Sequence, residues 1–237
     1  MTQLPIAVIA PGSPPRFPPV TRALREPDGL LAIGGDLAPE RLLAAYRHGI
    51  FPWFGDDEPV LWWSPDPRCV FATDRVHASR RLRRQLARST WTLTFDRAFD
   101  AVIAACAAPR GDHHGTWIVA SMIDAYRQLH ALGHAHSVEV WDGATLVGGL
   151  YGVGVGGMFC GESMFSRAGG GSKAALLGVC AALREAGCPW LDAQVGNPHL
   201  YSLGAIDLPR ADFVRELAHL AALPDTAPTW RAPPHPP

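Results

Sequence analysis

The 237-residue chain is 48% hydrophobic and 18% charged, and its formal net charge is −1. This composition allows a substantial core and excludes a globally disordered protein. The small net charge argues against a protein that coats nucleic acid through its overall charge, and no apolar run reaches the ~18–20 residues that span a bilayer.

The cysteines and the amino terminus indicate a cytoplasmic protein. Five cysteines are odd in number and form no C-x-x-C pair, so they predict neither a disulfide framework nor a zinc site. We expect reduced, mostly buried thiols. Residues 2–12 lack a basic leader and contain an early proline, so they fit a strand better than a signal peptide.

The first part of the chain predicts a small amino-terminal domain. Prolines in residues 11–20 exclude a helix there. A helix follows, with Asp36 as its predicted cap and Gly49 at its end. The aromatic-rich stretch after Gly49 predicts loops and strand junctions. We expect a small domain at 1–70, a catalytic domain at 71–223 and a proline-rich flexible tail at 224–237.

The second part predicts an α+β domain built around a mixed sheet. Alternating residues over 137–165 predict antiparallel strands, and 190–195 predicts another strand. Ser121 is the expected cap of one helix and Gly133 its stop. Helices, a β meander, a helix and a strand in this order are typical of the α+β class. Helices are predicted over 78–88, 96–108, 121–132, 172–187 and 211–223.

Residues 75–88 contain six arginines and no acidic residue. Subtracting these six positive charges from the net charge of −1 leaves −7 on the rest of the chain. At 100° per residue, Leu82 and Leu86 fall opposite the main row of guanidinium groups, so one face packs and the other binds. Phosphates are the natural partners of such a row. A solvated face paired with Asp96 or Asp112 is the alternative. The predicted binding arginines are Arg80, Arg81, Arg84 and Arg88.

Two isolated acidic residues, Glu162 and Asp192, are the acid–base candidates. Each is flanked by apolar residues and glycines, where an unpaired buried charge would cost several kcal/mol. Gln194 lies two residues after Asp192 on a predicted strand, so both side chains should point to one face. A carboxylate beside an amide can orient an incoming amine. The alternative is that Asp192 only satisfies buried backbone groups.

The glycine-rich loop at 167–173 opens a predicted helix and could hold an anion on its free N–H groups. It is close to the pattern with which acyl-CoA N-acetyltransferases hold pyrophosphate. By itself the pattern is weak evidence for anion binding, and an ordinary flexible strand-to-helix turn is the alternative. The histidines at 113–114 and 134–136 have no ligand spacing that predicts a metal site.

Several stretches carry a resemblance to a known family, among them LLAIGGD at 30–36, YRHGIFPWF at 46–54, LWWSPDPR at 61–68 and FCGESMFSR at 159–167. The chain resembles bacterial leucyl/phenylalanyl-tRNA–protein transferases of the N-degron pathway. The resemblance implies a small amino-terminal domain and a GNAT-like acyltransferase domain. It also implies that leucine or phenylalanine, and to a lesser extent methionine, passes from tRNA to the α-amine of proteins beginning with Arg or Lys. No metal, CoA or other cofactor is implied, and we expect a cytoplasmic monomer.

The resemblance also implies residue roles. Asp192 and Gln194 would orient and deprotonate the attacking amine, and Glu162 would position the substrate. Trp53 and Trp117 match aromatic positions at the aminoacyl-adenosine pocket. The remaining implied roles are an apolar cavity for the transferred side chain at Met164 and Phe159, and acceptor-stem binding at Arg80, Arg84 and Arg88, with Arg81 beside them.

The chain departs from the family pattern at several positions, and two other functions are alternatives to the transferase. Ala87 stands where the family often has a further basic residue, and the run Gly169–Gly171 is not typical of the family. An acyl-CoA-dependent N-acetyltransferase or a non-enzymatic tRNA-binding module would otherwise fit. The basic helix combined with Glu162 and Asp192 favours the transferase, because an acetyltransferase has no use for the helix and a passive binder none for the acids.

Overall fold

The computed structural model describes residues 6–109, 118–224 and 230. These residues form two sheets, a short 3₁₀ helix at Val20–Arg22 and seven α-helices. The helices are α1 (Pro39–Tyr46), α2 (Arg80–Leu86), α3 (Phe99–Ala107), α4 (Ala120–Ala131), α5 (Gly171–Glu185), α6 (Pro198–Ser202) and α7 (Arg210–Leu220).

A small four-stranded sheet occupies the amino-terminal part of the chain. Its spatial order is β1 (Ala7–Ile9), β2 (Leu30–Gly34), β4 (Leu61–Trp63) and β3 (Phe51–Pro52). Gly34 has φ +88°, and a Cβ there would lie 2.6 Å from the carbonyl oxygen of Ile9, so glycine lets β2 approach β1. The predicted small amino-terminal domain is confirmed, and its border at residue 70 stays a prediction.

A seven-stranded mixed sheet forms the larger part. Its order is β11 (Ile206–Leu208), β5 (Arg68–Ala72), β10 (Trp190–Gln194), β9 (Met158–Ser166), β8 (Thr145–Val155), β7 (Ala135–Asp142) and β6 (Trp91–Phe95). Neighbours are antiparallel except β9 and β10, which run parallel because α5 crosses over between them. The predicted mixed sheet is confirmed.

Two hydrophobic cores lie on the two faces of this sheet. Successive residues of β5 alternate between them: Val70 belongs to one core, and Cys69 and Phe71 to the other. The first core also takes in the small sheet, α1, α3, α4 and α7. The second is covered by α5 and by Trp230. The first core therefore joins the amino-terminal part to the large sheet.

Three predicted helix ends are wrong. Asp36 does not cap α1, whose N-cap is Ala38, because its carboxylate pairs with Arg41 at 3.1 Å. Ser121 lies inside α4, which begins at Ala120 after the N-cap Val119. Arg88 lies outside α2, which ends at Leu86. The last two differences are of one or two residues, which is the usual uncertainty of a helix end.

Candidate active site

A cavity of about 530 Å³ opens where β9 and β10 part. These strands pair only at Leu191 with Phe159 and at Asp192 with Cys160. After these two pairs, β9 and β10 are no longer paired with each other, and the cavity lies between them. Its lining residues are Phe51, Pro52, Trp53, Glu162, Ser163, Met164, Ala193, Gln194, Val195, Gly196, Asn197, His199 and Leu200.

A β-bulge lies in each of the two strands at this point. On β9, Tyr151 pairs with Ser163 and Gly152 with Gly161, so Glu162 is the extra residue. On β10, the register shifts between Asp192 and Gln194, and Gln194 has φ +63°. Bulges re-aim side chains and end strand pairing, and they are common beside active sites. Here they direct the Glu162 and Gln194 side chains toward each other.

Glu162 lies at the centre of a hydrogen-bond cluster. Its Oε1 accepts from the Tyr46 hydroxyl at 2.7 Å and from Gln194 Nε2 at 2.7 Å. Its Oε2 accepts from the Tyr126 hydroxyl at 2.8 Å. Burial raises the pKa of Glu162 to about 7, although these hydrogen bonds act in the opposite direction. The group can therefore change its protonation state near neutral pH.

Asp192 is enclosed beneath this cluster. Its side chain is 0% exposed and is not among the residues that line the cavity. Arg68 donates from Nε to Oδ1 at 2.8 Å and from Nη2 to Oδ2 at 2.7 Å. The Gln194 backbone N–H donates to Oδ1 at 2.9 Å. Asp192 is thus a paired carboxylate that holds the backbone of Gln194 in place.

Arg68 is held as firmly as its partner. Its Nη1 donates to the Gly49 carbonyl at 2.9 Å. The guanidinium carbon lies 4.8 Å from the ring centroid of Phe51 and 4.7 Å from that of Phe213. Such contacts favour a buried guanidinium. No local pattern in the sequence predicts this role for Arg68, although Arg68 lies in the matched stretch 61–68.

Tyr46 and Tyr126 are two further site residues that the sequence pattern does not predict. They lie on α1 and α4, and their hydroxyl oxygens are 2.5 Å apart. Both side chains are buried, so in the sequence each looks like an ordinary core residue of an amphipathic helix. The position of Tyr46 within the matched stretch 46–54 was the only available signal.

Some of the predicted substrate-binding residues line the cavity, and one of them does not. Trp53, which is 42% exposed, and Met164 line the cavity. Phe159 does not: it is fully buried in the second core, where its ring centroid lies 4.9 Å from that of Trp230. A role for Phe159 in binding the transferred side chain stays a prediction. Trp117 lies outside the described residues.

A smaller apolar pocket of about 90 Å³ adjoins the cavity. It shares Glu162 and Met164 with the cavity and lies between β9, β10 and α5. Aliphatic and aromatic side chains form its walls, so it suits an apolar group reaching in from the cavity. Its other lining residues are Phe71, Leu150, Gly161, Ser163, Leu176, Leu191, Ala193 and Leu200.

The predicted basic residues are exposed around α2. Leu82 packs inward, and the Ser79 hydroxyl caps the helix by accepting from the Leu82 N–H at 3.2 Å. Within the described ranges, no carboxylate lies within 4.0 Å of the four predicted arginines. The alternative partner Asp96 instead binds His136, and Asp112 lies outside those ranges. The four arginines are Arg80, Arg81, Arg84 and Arg88.

The glycine run before α5 has a packing role. Gly170 has φ +96°, and a Cβ there would come within 3.2 Å of the Leu82 and Gln85 side chains. A Cβ on Gly171 would lie 2.5 Å from the Val147 carbonyl oxygen. The Gln85 amide also donates to the Gly169 carbonyl. The run therefore lets α2 and β8 approach the start of α5, which explains it without a bound pyrophosphate.

The remaining predictions concern metals, thiols and membranes. In residues 6–109, 118–224 and 230, no cluster of three His, Cys, Asp or Glu side chains is placed to hold a metal. The expectation of free, buried thiols is confirmed for all five cysteines. No helix in that part of the chain is long and apolar enough to cross a bilayer.

The sequence of this chain matches one family of known proteins over most of its length. The family model "Leucyl/phenylalanyl-tRNA protein transferase" matches residues 70–218, and the model of that family's N-terminal domain matches 35–66. The transferase of Xanthomonas axonopodis pv. citri is 61% identical over 215 residues, which cover 90% of this chain and 86% of that protein. The transferase of Xylella fastidiosa is 56% identical over 222 residues, which cover 93% and 90%.

A weak structural likeness adds no argument. L-PGS from Bacillus licheniformis aligns with a TM-score of 0.40 and 12% identity, over 70% of this chain and 53% of that one. The family-model matches include Tyr46, Tyr126, Glu162 and Gln194, the four residues of the Glu162 cluster. The chain belongs to the leucyl/phenylalanyl-tRNA protein transferase family.

Proposed function

We propose that this protein transfers leucine, and also phenylalanine and to a lesser extent methionine, from aminoacyl-tRNA to proteins that begin with Arg or Lys. The new peptide bond forms on the α-amine and marks the acceptor for degradation. Family membership supports the donor and the reaction class. The structural observation that best supports this function is the hydrogen bond between Gln194 and Glu162. This polar pair lines the cavity, and the small apolar pocket lies next to it.

The reaction needs orientation more than strong base catalysis. The amine nitrogen attacks the ester carbonyl carbon, the C–N bond forms, the bond to the ribose oxygen breaks, and that oxygen receives the proton from nitrogen. The ester is already activated, so the resemblance calls for no metal or CoA. An α-amine has an ordinary pKa of about 7.7–8.0, so a sizeable fraction is neutral at pH 7. Holding this amine in line is then the main task.

Gln194 and Glu162 are the residues proposed to contact the reacting groups. Both line the cavity and are linked at 2.7 Å. Asp192 acts on the amine through Gln194, because both of its oxygens are bonded to Arg68 and its side chain is fully buried. A role for Asp192 in deprotonation is therefore indirect: it holds the bulged backbone that aims the Gln194 amide.

The donor side chain would enter the small apolar pocket beside Met164. Such a pocket discriminates by about 1–3 kcal/mol per methylene, so leucine is preferred to smaller aliphatic side chains. Trp53 is exposed at the rim and packs against Trp63 with ring centroids 5.7 Å apart, which suits stacking with the terminal adenine. Trp117 is proposed for the same pocket on the resemblance alone.

The tRNA acceptor stem would bind the arginine face of α2. Arg80, Arg81, Arg84 and Arg88 are exposed and carry no carboxylate partner within the described residues, so phosphate oxygens can replace water there. Phosphate contacts of this kind position the nucleic acid and are mostly blind to sequence. We also propose that the enzyme is a cytoplasmic monomer.

We also propose that the larger domain has the GNAT acyltransferase fold. The order β6, α3, α4, β7, β8, β9, α5, β10 and a parallel pair that parts at a cavity support the GNAT acyltransferase fold. No observation favours an acyl-CoA substrate, because packing explains the glycine run before α5.

Transfer of labelled leucine from Leu-tRNA to a peptide that begins with arginine tests the proposed function. A matched peptide beginning with alanine and a reaction with acetyl-CoA run in parallel. We expect label in the arginine peptide alone. Label in both peptides would contradict the amino-terminal rule. Acetylation without leucine transfer would contradict the whole proposal.

A further inference from the structure

The buried charges of the site balance only if Glu162 is neutral. Arg68 and Asp192 are 1% and 0% exposed and form a complete ion pair, with the third guanidinium nitrogen bonded to Gly49. Within the described part of the chain, no Lys, Arg or His nitrogen lies within 4.0 Å of the Glu162 carboxyl. An ionised Glu162 would add an unpaired negative charge to a buried site, which is costly.

A count of hydrogens gives the same result independently. The Tyr46 hydroxyl, the Tyr126 hydroxyl and the Glu162 carboxyl form a triangle with O···O distances of 2.5, 2.7 and 2.8 Å. Each side needs one hydrogen. The two tyrosines supply two, because a hydroxyl has a single donor hydrogen. The third hydrogen must come from the carboxyl group.

An ionised carboxylate would leave one side of the triangle unsatisfied. Both tyrosines would then donate to Glu162, and their oxygens would face each other at 2.5 Å with lone pairs only. A neutral Glu162 closes the ring, since it donates to one tyrosine, which donates to the second, which donates back to Oε1. Gln194 Nε2 supplies the remaining bond to Oε1.

The surrounding titratable groups do not supply the missing hydrogen. Burial raises the pKa of Tyr46, Tyr126 and Tyr151 well above the usual value, so all three stay protonated. Cys160 on β9 likewise keeps its proton because burial raises its pKa. Asp192 on β10 is paired with Arg68 on β5. Tyr151 on β8 has a buried hydroxyl that makes no hydrogen bond within the described residues.

We propose that Glu162 holds its proton in the resting enzyme, and that Tyr46 and Tyr126 are positioning residues that keep the neutral carboxyl in a closed ring of hydrogen bonds. The consequence of a neutral Glu162 for catalysis rests on the proposed transfer reaction. A site with a neutral Glu162 and a paired Asp192 has no free negative charge for an ammonium ion. The acceptor amine therefore loses its proton before it binds.

The protonation state can be measured without any activity. The carboxyl carbons of ¹³C-glutamate-labelled protein are followed by NMR from pH 5 to 9, and the Glu162 signal is assigned by its absence in Glu162→Gln. We expect this carboxyl to be protonated at pH 6 and to titrate near neutrality or above. A Glu162 that is fully ionised at pH 6 would overturn the proposal.

Variants then test the tyrosines. Tyr46→Phe and Tyr126→Phe each open the ring and should shift the Glu162 titration. Tyr151→Phe is the matched control, because it removes a buried hydroxyl that makes no hydrogen bond in the described structure, and it should leave the titration in place. An unchanged titration in both ring variants, with folding verified by circular dichroism, would overturn the positioning role.

Single-turnover leucine transfer links the state to the reaction. Glutamine reproduces the neutral acid, because its oxygen accepts from Tyr46 and Gln194 and its amide donates to Tyr126. We expect Glu162→Gln to stay within about tenfold of wild type, whereas Glu162→Ala loses ~100-fold or more. Equal losses in the two variants would overturn the role of the neutral acid. If the wild type transfers no leucine, the proposed function fails, while the NMR result still decides the protonation state.

Discussion

At the residue scale, the site keeps two buried carboxylates in different ways. Asp192 is paired with a guanidinium that is itself enclosed by two aromatic rings and a carbonyl. Glu162 has only hydroxyl and amide partners. One carboxylate is therefore fixed as a charge and supports the bulged backbone, while the other can gain or lose a proton beside the substrate.

Removing Arg68 should destabilise the fold strongly. Arg68→Ala leaves the Asp192 charge buried and unpaired, so we expect a loss of about 3–5 kcal/mol in the free energy of unfolding. Urea denaturation measures this loss. Arg215→Ala, which breaks an exposed ion pair with Asp212, is the control and should change little. A small loss for Arg68→Ala would show that Asp192 is neutral or reaches water.

Gln194→Ala should abolish most transfer and leave tRNA binding intact. The amide lines the cavity and bonds Glu162, so its loss should lower the single-turnover rate ~100-fold or more. Filter binding of Leu-tRNA checks that the donor still binds. Gln128→Ala, on an exposed position of α4, is the control. Asp192→Ala is a poorer test, because it also leaves Arg68 unpaired. Full activity in Gln194→Ala would remove this residue from the mechanism.

The pH dependence of stability should report Glu162. Its pKa is raised from 4.5 to about 7, so the folded state holds this proton more tightly than the unfolded state. That contribution is complete below pH 4.5 and is lost as the pH rises through 7. Relative to wild type, Glu162→Gln should gain up to about 3 kcal/mol between these limits. Denaturation curves at pH 5 and 8 compare the two proteins, and a constant difference would contradict the shift.

At the scale of elements, two bulges and one parted strand pair build the site. In a regular strand, successive side chains point to alternate faces of the sheet. The bulges in β9 and β10 interrupt this alternation beside the cavity and change the directions of the Glu162 and Gln194 side chains. Helix α2 stands apart from this chemistry. It contacts the rest of the domain through Leu82 and Gln85 and leaves its arginine face to solvent.

The arginine face of α2 should control the salt dependence of tRNA binding. We expect Arg80→Ala with Arg84→Ala to weaken binding and to reduce the slope of log affinity against log salt by about one per lost phosphate contact. Filter binding across a salt series measures both. The matched control is Arg127→Ala with Arg215→Ala, which removes two exposed arginines that have carboxylate partners. Equal slopes of log affinity against log salt for the two double variants would show that the tRNA binds elsewhere on the protein.

At the scale of the molecule, the amino-terminal part completes the catalytic cluster. Tyr46 of α1 bonds Glu162, and Gly49 and Phe51 hold Arg68. One hydrophobic core contains Leu42 and Trp62 from this part together with Met122 and Tyr151 from the large domain. Any separation of the two parts would therefore open the site.

The shared core predicts a single unfolding transition. Calorimetry and circular dichroism should give coincident midpoints, with equal calorimetric and van't Hoff enthalpies. The physical reason is that neither part can expose its side of the first core without exposing the other side. Two resolved transitions would show that the amino-terminal part unfolds independently, and that the Tyr46 contact is easily lost.

The sequence by itself determined the class of structure and the chemical candidates. Periodicity located α3, α5, α7 and the strands β7 to β10, because local hydrophobic spacing reflects which face is buried. It did not locate β5, whose residues are buried on both faces and show no alternation. The local pattern also singled out Glu162, Asp192 and Gln194, and the family resemblance added their expected roles.

Only the tertiary structure decided how those candidates work. It paired Asp192 with Arg68, brought Tyr46 and Tyr126 to Glu162 across 116 and 36 residues of chain, and placed Phe159 in the second core. None of these contacts is local, so no spacing in the sequence encodes them. The pKa of a carboxyl group depends on burial and on neighbours from other elements, and both exist only once the chain has folded.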